Sequence, residues 1–370
     1  MSNLVYHSIE PEANKSEYNE FDSITFKINT DRNLLRNSVR VEGKLRINST
    51  GTGTGGTRAV LGDRIHLNKR IGIHSIAEGF TTTVNGSIIE SYKNAYPRFV
   101  HMVQSATKSQ DDYYQGSQLC ELKAPSTDVA VNYACGESDT SGAATFRDID
   151  FSFKPLIAIN RCDNDIQMSR LGNEIQVSMN LARNESVLCG IGAVAAANYV
   201  LTDLRMTFTS VPSNPIPVVN MESVTEVKST LQSNNASIST KVPAICKAVS
   251  VSFIKQSKEN KAHFDNSALE RPKGLDKVSF LFNDNLNQAQ QYEQKDYGEF
   301  VDGYLESLGS AGVHSSNPNL VKANSVFGLG LNFGSSIDMS KSKFTVDLQS
   351  DVNNTNQYSM FQYFHSEIQV

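Results

Sequence analysis

The feature that most constrains this chain is an alternation of apolar and polar residues with period two, repeated along most of its length. Ile24, Phe26 and Ile28 alternate with polar residues, and so do Val39 and Val41. The pattern returns in Ile149, Phe151 and Phe153, in Ile175, Val177, Met179 and Leu181, and in Leu204, Met206 and Phe208. Later come Val249, Val251 and Phe253, then Val278, Phe280 and Phe282. Leu329, Leu331 and Phe333 follow, then Phe344, Val346 and Leu348, before a closing strand over 358–370. Successive side chains of a strand point to opposite faces, so each run buries one face and offers the other to water or a neighbour. Thr82-Thr83-Val84-Asn85-Gly86-Ser87-Ile88-Ile89 reads as a hairpin, because Asn-Gly suits the two positive-φ positions of a type I′ turn. Many strands separated by such turns predict an all-β protein built of sandwiches or barrels.

Helices are few. Tyr297, Phe300, Val301, Tyr304, Leu305 and Leu308 share one face of a helix over about Asp296 to Leu308, with Gly309 placed as its C-terminal cap. The aromatic stripe Tyr297, Phe300, Tyr304 is expected to pack into a core with its phenols at the rim. A weaker helix begins at Pro97, where Phe99, Met102, Val103 and Ala106 keep helical spacing and proline suits the first turn. Val211-Pro212-Ser213-Asn214-Pro215-Ile216-Pro217 cannot run through a central strand, since proline lacks the ladder N–H. The expected organisation is an N-terminal arm over 1–20, a first domain over 21–211, a linker over 212–220 and a second domain over 221–370. On each side of the linker a helix is followed by similarly ordered strands, which suggests a duplicated domain.

Composition narrows the classes further. At 370 residues the chain can hold two ordinary cores, and 39% apolar with 20% charged residues is globular. A formal charge of −5 argues against broad nucleic-acid binding, which needs a Lys/Arg-rich face. The polar, acidic start shows no signal peptide, and the small-apolar stretch Cys189 to Leu201 is too short to span a bilayer. Cys120, Cys135, Cys162, Cys189 and Cys246 are odd in number and widely spaced, which reads as unpaired thiols in a reducing compartment.

No catalytic, cofactor-binding or metal-binding residue is expected. Gly51-Thr52-Gly53-Thr54-Gly55-Gly56 matches G-x-G-x-x-G by letter, but no helical face follows to aim amides at a pyrophosphate, so a surface loop is expected. His66 and His74 lie eight apart without a metal-ligand pattern. Asp163-Asn164-Asp165 begins like a calcium loop but lacks the glycine and distal Glu, and reads as a solvated turn. Asp111-Asp112 reads as part of an exposed loop, and Asp148 and Asp150 fall on the outer face of a strand. Gly309-Ser310-Ala311-Gly312 is one residue short of a nucleophile elbow.

Several of these features resemble the double jelly-roll major capsid proteins, the lineage of adenovirus hexon, virophage and Polinton-like, and tailless-phage coat proteins. The resemblance rests on the polar N-terminal arm, the extended Phe21 to Ile28 and Leu34-Leu35-Arg36-Asn37-Ser38. It also rests on the stretch running into Thr83 to Glu90, the helix after that hairpin, Leu201-Thr202-Asp203-Leu204-Arg205-Met206 at the close of the first half, and a chain that stops at its last strand. It implies two fused jelly-roll β-sandwiches with a few short helices. Three chains would form a pseudo-hexameric homotrimer that tiles an icosahedral virion shell assembled inside the host cell. The implied partners are neighbouring capsomers, penton and minor capsid proteins, and an internal membrane reached by the N-terminal arm, with no specific nucleic acid. The competing readings are a minor capsid, vertex or spike protein with one jelly roll and an unlike second domain, and a carbohydrate-binding β-sandwich module. The absence of Trp weighs against the last. An enzyme on a β-sandwich is least favoured.

Overall fold

The computed structural model describes residues 3–49, 65–68, 70–107, 137–138, 144–145, 148–189, 197–216, 218–231, 235–241, 245–262, 264–283, 289–310, 326–338, 343–350 and 356–369. In the first half the elements run β1 (Val5–Ile9), β2 (Ser23–Asn29), β3 (Asn33–Leu34), β4 (Arg40–Ser49), β5 (His66–Leu67), β6 (Ala77–Val84), β7 (Ser87–Ser91) and α1 (Tyr96–Thr107). There follow β8 (Glu137–Ser138), β9 (Ala144–Thr145), β10 (Ile149–Phe153), β11 (Glu174–Leu181), α2 (Asn184–Val187), β12 (Leu188–Cys189) and β13 (Ala197–Val211). The second half runs β14 (Asn220–Leu231), β15 (Ala236–Lys241), β16 (Ile245–Lys255), β17 (Leu275–Asn283), β18 (Ala289–Gln294), α3 (Tyr297–Ser310), β19 (Leu329–Asp338), β20 (Lys343–Ser350) and β21 (Tyr358–Gln369).

The pairing order shows the duplication. Among the described residues, leaving aside the two-residue strands, each half has eight strands. In both, the first, eighth, third and sixth form one sheet, and the second, seventh, fourth and fifth form the other. These are β1-β13-β4-β10 with β2-β11-β6-β7, and β14-β21-β16-β19 with β15-β20-β17-β18. In both halves the main helix sits between the fifth and sixth strands. That order is an eight-stranded jelly roll, stated twice. The two copies are fused edge to edge: β14 pairs in parallel with β7 at Thr225 and Ser91, so one eight-stranded sheet crosses from one half to the other.

The alternating runs named above lie in strands, save Val39 just ahead of β4, and most of their apolar members are buried, Ile149 and Phe333 partly so. In β11, Ile175, Val177, Met179 and Leu181 are buried while Gln176, Ser178 and Asn180 are not. At about 25 cal/mol per Å² of apolar surface removed from water, each such side chain contributes roughly 1.5–3 kcal/mol. Between β6 and β7, Asn85 and Gly86 take φ of 49° and 74°, as the type I′ reading requires.

Two local expectations differ from what is seen. Val5–Ile9, placed in a free arm by the sequence, pairs residue by residue with β13 from Val5↔Ser210 to Ile9↔Met206, and His7 stacks on Phe208 at 4.6 Å. Five residues in a polar context carry little alternation, and the partner that makes them a strand lies two hundred residues away. Gly309 is not a cap: α3 continues through it to Ser310. The start of α3 matches, with the Glu299 N–H donating to Asp296 Oδ1 at 2.9 Å.

Candidate assembly surfaces

Among the described residues the buried polar contacts concentrate at the seam between the two halves, and the site is built from that seam and from the corresponding outer face of the first half. Helix α1 lies in the seam. Ten of its twelve residues are buried, including Arg98, His101, Gln104 and Ser105, so its polar side is covered as fully as its apolar side. The covering surface is the outer face of the second-half sheet, where Val224, Ile254, Phe361 and Tyr363 join the first-half core cluster.

Specific contacts fix the helix there. Glu226 on β14 is 3% exposed and accepts the backbone N–H groups of Lys93 (3.1 Å), Asn94 (3.2 Å) and Ala95 (2.9 Å) just ahead of α1. Its carboxylate therefore meets both the orphan donors and the positive end of the helix dipole. Burial pushes the Glu226 carboxyl above its usual pKa, against the pull of those three donors. Tyr363 Oη donates to Ala95 O (3.0 Å), and the Arg98 guanidinium lies over the Phe361 ring at 4.3 Å. His101 donates through Nδ1 to Ser267 O (2.7 Å) and accepts from Arg70 at Nε2 (3.2 Å), which sets its tautomer. Asp265, across the seam, accepts from Asn68 Nδ2 at 2.5 Å. Its burial would raise its pKa, but the Arg70 charge and hydrogen bonds from Ser267 and Asn68 outweigh that and hold it below the usual range. The Tyr304 hydroxyl of α3 donates to Met102 O of α1 at 3.3 Å.

A second buried group braces the first half beneath α1. Arg161 pairs with Glu90, donates to Tyr92 Oη at 3.1 Å and lies over the Phe99 ring at 5.3 Å. Glu90 also accepts the Ala158 N–H at 2.6 Å. Desolvation raises the Glu90 pKa, with Arg161 opposing. His365, fully buried and 2.7 Å from Ser250 Oγ, has its pKa pushed down to about 3 by burial and by Arg161.

The equivalent outer face of the first half is of another kind. On β4, Val41, Leu45 and Ile47 point inward, and Arg40, Glu42, Lys44 and Arg46 point out. Ion pairs cross this face: Lys44–Asp203 at 2.5 Å, Arg46–Asp148 at 2.7 Å and Arg205–Glu42 at 3.2 Å. Each is open to water on at least one side, so each contributes little to stability. A half-open groove of about 1040 Å³ runs over the same face, lined by Ser8, Lys15, Glu42, Lys44, Asp150 and Arg205 among others.

The residues singled out in the sequence fall apart rather than together. His66 lies on β5, whereas His74 is buried with Nδ1 3.0 Å from Tyr96 Oη and its ring edge-on to Phe153. Asp163 and Asp165 act as braces: Asp163 accepts from the Asn220 N–H (3.0 Å) and Asp165 from the Arg36 N–H (2.9 Å). Asp148 and Asp150 stand exposed on the outer face, as expected. Phe300 is buried as expected, but the Tyr304 phenol is at the seam and not at a rim. Cys162 is unpaired, with its thiol pushed up to about 11 by burial. The glycine-rich run 51–56, Asp111-Asp112, Cys120 and Cys135 lie outside the described residues. Among the described residues no group of three or more His, Cys, Asp or Glu is placed to hold a metal, and no helix is long and apolar enough to cross a membrane.

One signal was present in the sequence and not read. Tyr96-Pro97-Arg98-Phe99-Val100 and Tyr297-Gly298-Glu299-Phe300-Val301 share Tyr-x-x-Phe-Val, and each opens the main helix of its half.

No family model and no curated protein matches the sequence. Solved structures do match the fold. The Faustovirus major capsid protein aligns with a TM-score of 0.65 at 9% identity, over 100% of this chain and 91% of that one. PBCV-1 VP54, fitted into a reconstruction of the virophage Sputnik, aligns with a TM-score of 0.60 at 10% identity, over 100% of this chain and 95% of that one. The mavirus major capsid protein aligns at 0.53 and 10% identity, over 99% and 90%. The chain has the double jelly-roll fold. A single jelly roll with an unlike second domain, as the vertex or spike reading needs, does not describe it, because both halves repeat one strand order.

Proposed function

We propose that this double jelly-roll chain is a major capsid protein, a structural subunit of the virion shell and not an enzyme. The observation that carries the reading is the duplicated strand order over the full chain, shared with capsid proteins of similar length. Two like bodies in one chain give six like walls in a three-fold trimer, and bodies of near-hexagonal outline tile a surface without gaps. The first jelly roll extends through 211 and the second begins with β14, joined by the proline linker; the first begins at Val5, since that strand completes its sheet. Trimers contact neighbouring trimers, and penton and minor capsid proteins fill the positions that a hexagonal outline cannot.

Electron microscopy of the purified protein tests this. Class averages should show a three-fold particle with six lobes. A two-lobed particle without three-fold symmetry would remove the capsomer reading and return the β-sandwich binding module as the better account.

A further inference from the structure

Three buried side chains at the seam each carry a polar atom that no group among the described residues meets. On the first-half side, Arg161 spends one nitrogen, Nη2, on Glu90 and Tyr92, while its Nε and Nη1 are buried without a partner. On the second-half side, Oε2 of Glu222 on β14 and Nδ1 of His365 on β21 are also buried without a partner. Their other atoms are engaged. Glu222 Oε1 lies 3.4 Å from Lys247 Nζ, and His365 Nε2 lies 2.7 Å from Ser250 Oγ.

The fold brings the three side chains to one place. Glu222 is paired with Glu367 and Val224 with His365, so Glu222 and His365 are diagonal neighbours on one face of the β14–β21 ladder. The segment after β10 meets the same ladder: the Glu222 N–H donates to Arg161 O at 2.9 Å, and Cys162 bridges to Met221. The Phe99 ring of α1 lies against both remaining partners, 5.3 Å from the Arg161 guanidinium carbon and 6.0 Å from the His365 ring. Burial and then the Arg161 charge push the His365 pKa down to about 3, as expected of close neighbours.

We infer that ordered water sits at this point and joins Arg161, Glu222 and His365 by hydrogen bonds, bridging the two halves. The class of ligand follows from the atoms offered. Arg161 has only donors, and an ionised Glu222 has only acceptors. An anion would face the Glu222 carboxylate and a metal ion the Arg161 guanidinium, whereas water accepts from one and donates to the other. Its second O–H goes to His365 Nδ1. That nitrogen is then the unprotonated one of the neutral ring, and Nε2–H is left to donate to Ser250 Oγ. About three polar partners are usual for a buried water, and such a bridge holds nearly as well as a direct hydrogen bond. Unlike the direct clamp at Glu226, this link between the halves runs through solvent.

The test is a crystal structure of the full chain at a resolution that shows ordered water, repeated on a bromide-soaked crystal with anomalous data. The expected result is a water within hydrogen-bond distance of Glu222 Oε2 and His365 Nδ1, joined to Arg161, with no bromide peak at that point. A bromide peak there would make it an anion site and overturn the inference. So would a dry seam in which the three side chains turn to other protein partners.

Discussion

Helices α1 and α3 begin with the same Tyr-x-x-Phe-Val and occupy the same place in their jelly rolls, but they are capped in different ways. The start of α1 depends on Glu226, a residue 131 positions away in the other half. The start of α3 depends on its own Asp296, three residues before the donor, and on Glu299, which accepts the Lys295 N–H at 2.5 Å. A helix that is always in contact with the other half can take its cap from there. A helix on a free surface must be complete before any neighbour arrives. The contrast teaches that the duplication has diverged where one copy faces inward and the other outward, while the strand order has not.

The sharpest way to break this comparison is Glu226→Ala. It removes the acceptor of three N–H groups at the head of α1, the Ala95 N–H among them buried, and should lower unfolding free energy by about 3 kcal/mol in denaturant titration. A loss below about 1 kcal/mol would show that the seam does not depend on this clamp.

The next effect is a pH dependence set at the seam. His365 has a folded pKa of about 3 against an ordinary 6.5, so it is neutral in the fold and takes up a proton on unfolding below 6.5. Its contribution is therefore present above pH 6.5 and lost as pH falls towards 3, at up to about 1.4 kcal/mol per pH unit. The His365→Gln variant should start less stable at pH 7 and lose less between pH 7 and 4, as followed by thermal melts. An unchanged acid slope would contradict this placement.

The packing of α3 on its own half gives a smaller effect. A Cβ on Gly330 would stand 2.1 Å from Ser307 Oγ and 2.7 Å from Gly303 O, so Gly330→Ala forces helix and strand apart. About 2 kcal/mol should be lost in the second half, visible as faster amide exchange in β19. Smallest of all is Asp296→Ala, which removes an exposed cap and should cost about 1 kcal/mol, a fraction of the Glu226 loss. Equal losses for the two would remove the distinction between a cap borrowed across the seam and a local one.

What could be read in the sequence follows from the range of the interactions. The strand runs, the Asn85-Gly86 turn and both long helices are written in neighbours within about four residues, and they were legible. That 212–216 lies outside the strands was legible, because proline forbids a ladder position regardless of context. The strand Val5–Ile9 was not, since its order comes from pairing with β13. The seam was hidden for the same reason. Glu90 and Arg161 are 71 residues apart, and His101 and Ser267 are 166 apart. No local pattern marks a carboxylate as a future clamp. The outer face of the first half was half legible: alternation placed Asp148 and Asp150 outward, but only the fold shows that the matching face of the other half is apolar and occupied.

The central proposal is that one chain carries two equivalent bodies and that three such chains make one capsomer. Its most direct test is the mass of the purified protein by sedimentation at low and at high salt. The account predicts a trimer near 122 kDa at low salt, three times the 40.7 kDa chain, giving way to folded monomer as salt rises. A monomer of 40.7 kDa at every salt and protein concentration would contradict it.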